Sequence, residues 1–168
     1  FNVRNPRAEA WLREHSSSFV TNVITDQVEA IRGVVSEGAA LGRNPRQVVL
    51  DLVGRIDSRT GRRIGGIVGL SEPQARYVAN ARAQLLSGDP EAMRMYLTRQ
   101  LRDRRFDGAV RRAIAAEKPL PAAEVDRIVS RYSDRLLRLR AETIARTESL
   151  TAFNTARNES FQQAIDTG

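Results

Sequence analysis

The sequence has no cysteine and a single histidine, His15. The absence of cysteine excludes disulfide bonds and thiolate metal sites. One histidine cannot build a histidine-rich zinc site, and His15 lies in a polar Glu-His-Ser-Ser-Ser run that is typical of an exposed helix residue. The carboxylates lie beside arginines in helical patterns, without a recognisable acid, base or nucleophile. We therefore expect no metal ion, no cofactor and no catalytic residue, and the sequence predicts a protein that is not an enzyme.

Aromatic residues are also scarce, at 5% of the chain, whereas hydrophobic residues as a whole make up 41%. The core must therefore be aliphatic, which favours packed helices over a β-sandwich, since strands prefer aromatic and β-branched residues. No stretch approaches the ~20 consecutive apolar residues of a membrane-spanning helix. The charged amino-terminal region shows no signal-peptide pattern. We accordingly expect no membrane partner.

Proline and glycine divide the chain into predicted helices. Asparagine, serine and aspartate cap helices, and proline fits the first helical turn. Four helix starts of this kind are Asn5-Pro6, Asn44-Pro45, Ser71-Glu72-Pro73 and Asp89-Pro90. Residues 57–70 differ, because turn residues precede a short apolar run that is broken by glycines. This composition predicts a small β-hairpin or an ordered loop, and no Gly-Lys-Ser/Thr follows the glycines as it would in a phosphate-binding loop.

Residues 121–165 form the longest segment with helical periodicity. Their apolar residues follow three-and-four spacing without an intervening glycine or proline. This predicts one very long helix, or two helices with a bend near Arg140. The predicted fold class is thus mainly α. We predict a helical amino-terminal region at 1–118 and a long-helix region at 119–168, which we expect to be the start of a domain that continues past residue 168.

The net charge of +7 comes from two short regions. Residues 43–70 hold six basic and two acidic side chains, net +4, and residues 90–118 hold eight and four, also net +4. Arginine supplies every basic residue except Lys118, which either phosphate binding or the codon bias of a GC-rich genome explains. If the two regions meet, they form a surface for sequence-independent contact with the DNA backbone; otherwise they are solvated faces or pair with a partner's acids. The candidate contacts are Arg43, Arg46, Arg55, Arg59, Arg62, Arg63, Arg99, Arg102, Arg104, Arg105, Arg111 and Arg112.

The long carboxyl-terminal segment has a different charge pattern. Residues 119–168 carry seven basic and seven acidic side chains. Several lie at helical neighbour spacing, such as Glu142 with Arg146 and Asp134 with Arg138. This balance is typical of a helix that packs against protein and not against DNA.

A longer pattern lies within the same segment. Residues 140–148 read Arg-Ala-Glu-Thr-Ile-Ala-Arg-Thr-Glu, and a small residue, an asparagine and an arginine follow at helical spacing. This pattern resembles the signature of the Mu F-like head-morphogenesis family of tailed phages. The clear resemblance covers roughly residues 130–165, and residues 3–8 and 65–70 are similar less specifically. The matching positions are Ile144, Arg146, Thr147, Glu148, Asn154 and Arg157.

The resemblance implies a structural minor head protein of a tailed phage, prophage or gene transfer agent. Such a protein is expected in the virion, at the portal vertex or the head interior, and in the host cytoplasm during assembly. Its implied partners are portal or capsid proteins, in a multi-copy assembly, and double-stranded DNA. We expect the six matched residues to pack or dock the helix, with a buried Asn/Arg/Thr cluster that fixes its register.

Two other hypotheses stay open. The first is a sequence-independent DNA-binding helical protein, which the two basic regions favour. The second is a generic helical interaction module, either in its own right or as a fragment of an enzyme whose active site lies beyond residue 168.

Overall fold

The computed structural model describes residues 25–60 and 63–166, which form six α-helices, one short 3₁₀ helix and a two-stranded sheet. In chain order these are α1 (Thr25–Ala40), α2 (Pro45–Val53), β1 (Arg55–Ile56), β2 (Arg63–Ile64), α3 (Glu72–Leu86), α4 (Pro90–Leu97), the 3₁₀ helix (Arg104–Phe106), α5 (Asp107–Ala115) and α6 (Ala122–Asp166). The predicted mainly helical fold with a small hairpin is confirmed. The helix start predicted at Asn5-Pro6, His15 and Arg62 lie outside the described residues.

Three of the predicted helix starts are confirmed, and each has a side-chain cap. The Asn44 side chain accepts a hydrogen bond from the amide of Arg46 at 2.9 Å. Ser71 and Gln74 form a reciprocal capping box at the start of α3. The Asp89 carboxylate accepts from two amides in the first turn of α4. These caps satisfy amides that have no partner inside the helix, and they fix where each helix begins.

The end of α2 differs from the prediction. The sequence has an apolar stripe of Val48, Val49, Leu52, Val53 and Ile56, which predicts a short helix that includes Ile56. In the structure α2 ends at Val53, and Ile56 pairs with Arg63 in an antiparallel ladder. The reason is Gly54, whose φ of 77° takes the chain out of the helical conformation. The hairpin therefore begins at β1, slightly before the predicted 57–70 segment.

Two glycines bring separate backbone segments into direct contact beside the hairpin. Gly54 and Gly66 both have positive φ, 77° and 88°. A Cβ on Gly66 would lie 2.5 Å from the amide nitrogen of Gly54, and a Cβ on Gly54 would overlap the carbonyl of Gly65. The two residues after Gly66 donate their amides to the Leu52 carbonyl at 2.9 and 3.0 Å. The glycine-rich segment is thus a structural turn that docks on the end of α2.

Helix α6 is one continuous helix of 45 residues, about 67 Å long at ~1.5 Å per residue. Its first half packs on α1, α2 and α3, and Val125, Ile128 and Val129 are fully buried there. Of the two predicted alternatives, one long helix is confirmed, because the helix continues through Arg140, whose guanidinium donates to the Gly69 carbonyl at 2.8 Å. Burial lowers the pKa of Arg140.

One cluster of buried side chains joins all of these helices. It combines residues from both predicted regions, 1–118 and 119–168, and the division at that point stays a prediction. Within residues 25–60 and 63–166, no helix is both long and apolar enough to cross a membrane.

Candidate functional site

A groove of about 940 Å³ lies between α1, α2 and α6. Its apolar lining includes Val35, Ala39, Leu50, Ala145 and Leu150. Its charged lining is Arg43, Arg46, Arg138, Glu142 and Arg146. Among the described residues that line it, four arginines and one glutamate make this a basic groove with apolar walls. Such a combination is suited to an acidic partner that also has an apolar side chain to bury.

Not all four arginines are equally available to a partner. The Arg43 guanidinium donates to the Asp51 carboxylate at 3.2 Å, which offsets its charge. Arg46, Arg138 and Arg146 form no ion pair with any residue in the described parts of the chain. These three side chains therefore carry most of the unbalanced positive charge of the groove.

The geometry of the groove follows from close helix packing and from helical spacing. Gly38 of α1 lies against Val48 of α2, and a Cβ on Gly38 would be 2.6 Å from Cγ2 of Val48. This contact draws α1 and α2 together on one side. On α6, Arg138, Glu142 and Arg146 are four residues apart and therefore lie in one row along the other side.

Three of the six residues that match the Mu F-like pattern contribute directly to this arrangement. Ile144 is partly buried against the core, and Arg146 lines the groove. Glu148 accepts from the Arg32 guanidinium at 3.0 Å, which ties α6 to α1 beside the groove. The sequence interpretation did not identify Arg32 as a residue that holds α6 in place.

The other three matching residues do not form the buried Asn/Arg/Thr cluster that was expected. Thr147, Asn154 and Arg157 are exposed, so that expectation is wrong. Every side chain described between Ser149 and Ile165 is exposed. The Thr147 hydroxyl is satisfied locally, by the Thr143 carbonyl at 2.9 Å.

Arg63, a predicted contact to DNA, forms buried contacts that stabilise the fold. Its side chain is 6% exposed, and it donates to the Asp134 carboxylate at 2.7 Å and to the Gly54 carbonyl at 2.7 Å. Asp134, which the spacing suggested as a neighbour of Arg138, thus binds the hairpin to α6. We call the candidate contacts in residues 43–70 the first basic set and those in residues 90–118 the second. Four members of the first basic set are exposed: Arg43, Arg46, Arg55 and Arg59.

Three arginines of the second basic set are likewise committed to intramolecular contacts. Arg102 is 14% exposed and donates to both oxygens of Asp107, at 3.0 and 2.9 Å, which raises the pKa of Arg102. Arg99 donates to Gln84, and its guanidinium lies 5.5 Å from the centre of the Tyr132 ring. A guanidinium held in this way has little freedom to follow a phosphate backbone.

The third of these arginines, Arg105, pairs with a buried carboxylate. Asp103 is 3% exposed and caps the 3₁₀ helix. It accepts from Arg105 at 2.6 Å and forms an ion pair with Arg135 of α6 at 3.5 Å. The hydrogen bond from Arg105 is the largest cause that lowers the pKa of Asp103, to about 2. The exposed members of the second set are Arg104, Arg105, Arg111 and Arg112.

The two basic sets attach to different sides of α6. Asp134 binds the first set through Arg63, and the next residue, Arg135, binds the second through the Leu101 and Arg102 carbonyls. Consecutive residues of an α-helix point about 100° apart. The two sets thus contact α6 through neighbouring residues that point in different directions. The groove joins part of the first set, Arg43 and Arg46, to Arg146.

Arg138 is a groove residue that the sequence interpretation missed. Its signal was present, because Arg138, Glu142 and Arg146 follow one another at a spacing of four. The charges of residues 119–168 sum to zero, and this sum does not show that two arginines lie in one row on α6. No cluster of three or more side chains able to hold a metal ion occurs in residues 25–60 and 63–166.

Comparison with protein-family models, with curated proteins and with solved structures finds no match to this chain. What supports an assignment is therefore the geometry of the groove together with the motif residues on α6.

Proposed function

We propose that the protein is a structural, non-enzymatic minor head protein of a tailed phage, prophage or gene transfer agent. It binds the portal or the inner capsid, in the virion and earlier in the host cytoplasm, through the groove between α1, α2 and α6. The observation that carries the proposal is the position of Arg146. This residue of the family-like motif lines a basic, partly apolar groove together with Arg46 and Arg138.

The chemistry of the groove defines the portal or capsid segment that would fit it. A guanidinium binds carboxylates through two parallel hydrogen bonds, and such pairs strengthen where apolar walls exclude water. Leu50 and Leu150 supply apolar walls close to Arg46 and Arg146. The fitting partner is therefore an acidic segment that carries at least one large apolar side chain.

Charge reversal in the groove is expected to weaken binding to the portal. We expect Arg146→Glu to reduce the affinity for purified portal oligomers at least tenfold, because it repels the acidic partner and leaves its carboxylates unpaired. Biolayer interferometry against immobilised portal would measure this. Arg94→Glu is the matched control, since Arg94 is an exposed arginine on α4, outside the groove. Equal affinities of the two variants would count against the groove as the docking site.

Sequence-independent DNA binding is the second candidate function. It is favoured by Arg104, Arg111 and Arg112, which are exposed on and beside α5. We expect weak, salt-sensitive binding to duplex DNA, and replacement of all three by alanine should reduce the slope of log affinity against log salt by about 3, at ~0.9 per phosphate contact. Fluorescence anisotropy over a salt series measures the slope. A flat salt response, or no binding at low salt, removes DNA as a direct partner.

A further inference from the structure

The first half of α6 presents a series of arginines to solvent. Between residues 127 and 138, every exposed side chain except Ser130 is an arginine. Spacings of four, four and three residues place these arginines on one face of the helix, over about 17 Å at ~1.5 Å per residue. We call this the arginine face, and its members are Arg127, Arg131, Arg135 and Arg138.

The acidic residues of the same stretch point towards the rest of the protein. Asp126 accepts a hydrogen bond from Arg82 of α3 at 3.3 Å, and Asp134 accepts one from Arg63 of the hairpin at 2.7 Å. Both carboxylates are partly buried. Arginines from other elements thus balance these two acids, and the arginine face keeps its own charge. The neutral sum of α6 combines acids that hold the fold together with arginines that meet solvent.

Two members of the arginine face have no ionic partner in residues 25–60 and 63–166. These are Arg127 and Arg131. Arg135 is 44% exposed and pairs with Asp103, next to the 3₁₀ helix, at 3.5 Å. The residue that follows Asp103 in the chain, Arg104, is exposed. The positive charge of α6 therefore continues onto the second basic set.

We propose that the arginine face is a contact surface for the phosphate backbone of duplex DNA. The duplex carries one negative charge per ~1.7 Å of its axis, so a face of about 17 Å lies along about ten phosphates, enough to engage all four guanidinium groups. Each guanidinium donates two parallel hydrogen bonds to a phosphate. Contacts of this kind do not read the bases, so binding is independent of the DNA sequence.

The surroundings of the arginine face favour a duplex over other anionic partners. An acidic protein segment would also bury apolar side chains, and the only large apolar side chain exposed between residues 127 and 139 is Leu139, at one end. A single strand stacks its bases on exposed aromatic rings, whereas Tyr132, the aromatic residue of this stretch, is buried. Arginines with a serine hydroxyl among them are the side chains that contact a duplex backbone.

The arginine face is separate from the groove of the proposed function, with which it shares only Arg138. The inference therefore does not rest on docking to the portal. Leu150→Ala, which removes an apolar wall of the groove without a change of charge, should leave DNA binding unchanged. It also differs from the second candidate function in its residues, which lie on α6 and not on α5.

A double alanine variant at the two unpaired positions tests the proposal. For Arg127→Ala with Arg131→Ala, we expect the slope of log affinity against log salt to fall by about 1.8, at ~0.9 per phosphate contact, and binding at about 0.1 M salt to weaken about sixtyfold. Fluorescence anisotropy with a short duplex of random sequence measures both. Alanine is the strongest helix former and both positions are exposed, so α6 is retained, which circular dichroism checks.

The matched control removes the same charge elsewhere. Arg76→Ala with Arg94→Ala replaces two exposed arginines that each pair with a glutamate of their own helix. This variant should keep the salt slope of the natural chain. Equal reductions of the slope in the two double variants would show an effect of net charge alone and would overturn the arginine face as the contact surface.

Lysine substitution distinguishes the phosphate backbone from an acidic protein. Arg127→Lys with Arg131→Lys should keep the salt slope, because lysine meets phosphate as a point charge and releases the same counterions. A slope reduced as far as by alanine would contradict backbone contact. Tighter binding to a single strand of equal length would assign the face to single-stranded nucleic acid. No binding of the natural chain to the duplex at low salt would leave an acidic protein as the partner, and either result overturns the proposal.

Discussion

Gly66→Ala is expected to lose about 3 to 5 kcal/mol of unfolding free energy, a large part of the ~5–15 kcal/mol that a domain possesses. Two costs combine. The φ of 88° costs a residue with a Cβ roughly 1 kcal/mol. In addition, the new Cβ would lie 2.5 Å from the Gly54 nitrogen, so that the docked turn must move away from α2. Urea unfolding followed by circular dichroism measures the loss.

The neighbouring glycine provides the control for this variant. Gly65 also has a positive φ, 71°, but a Cβ at this position meets nothing within 4 Å. Gly65→Ala should therefore lose only the conformational cost of about 1 kcal/mol. If both alanine variants lost the same free energy, the close approach of Gly66 and Gly54 would not be what holds the turn on α2.

Arg63→Ala is expected to lose on the order of 3 kcal/mol of unfolding free energy. The substitution removes one side of a largely buried ion pair and leaves Asp134 and the Gly54 carbonyl without their donor. Arg59→Ala, in the exposed turn of the same hairpin, should change stability by less than about 0.5 kcal/mol. Thermal and urea unfolding of the two variants are the measurement.

The same pair of variants separates structure from function in the first basic set. If the protein binds DNA, Arg59→Ala should weaken binding while leaving the fold intact. An Arg63→Ala variant as stable as the natural protein would contradict the structural role assigned to Arg63.

Helix positions were predictable because their signals are local. Asn44-Pro45 and Asp89-Pro90 combine a capping side chain with proline, and the structure starts α2 and α4 there. The long periodic segment without glycine or proline became α6 for the same reason. Where the prediction was wrong, at Ile56, a positive-φ glycine overrode an apolar stripe that continued past the helix end.

Burial could not be predicted from the same patterns. Arg59 and Arg63 count equally in a charge sum, yet only Arg63 meets a carboxylate 71 residues away. Phe153 and Phe161 continue the apolar spacing of α6, but no local feature shows that the core ends before them. Both distinctions depend on which distant segments fold together.

The groove lay beyond prediction for a related reason. It combines side chains from α1, α2 and α6. Arg146 and Arg46 line the same groove only because helices a hundred residues apart in the sequence pack together. The motif identified Arg146 and Glu148 as important without indicating that one faces a groove and the other binds Arg32. Spacing placed them on the helix, and the fold gave them different surroundings.

The most direct test of the proposed function is quantitative mass spectrometry of purified particles of the phage, prophage or gene transfer agent to which the proposal assigns this chain. We expect the polypeptide to be present in mature heads at a defined number of copies per portal and to be retained through gradient purification. Particles that lack the polypeptide, while it accumulates free in the host cell, would contradict its assignment as a minor head protein.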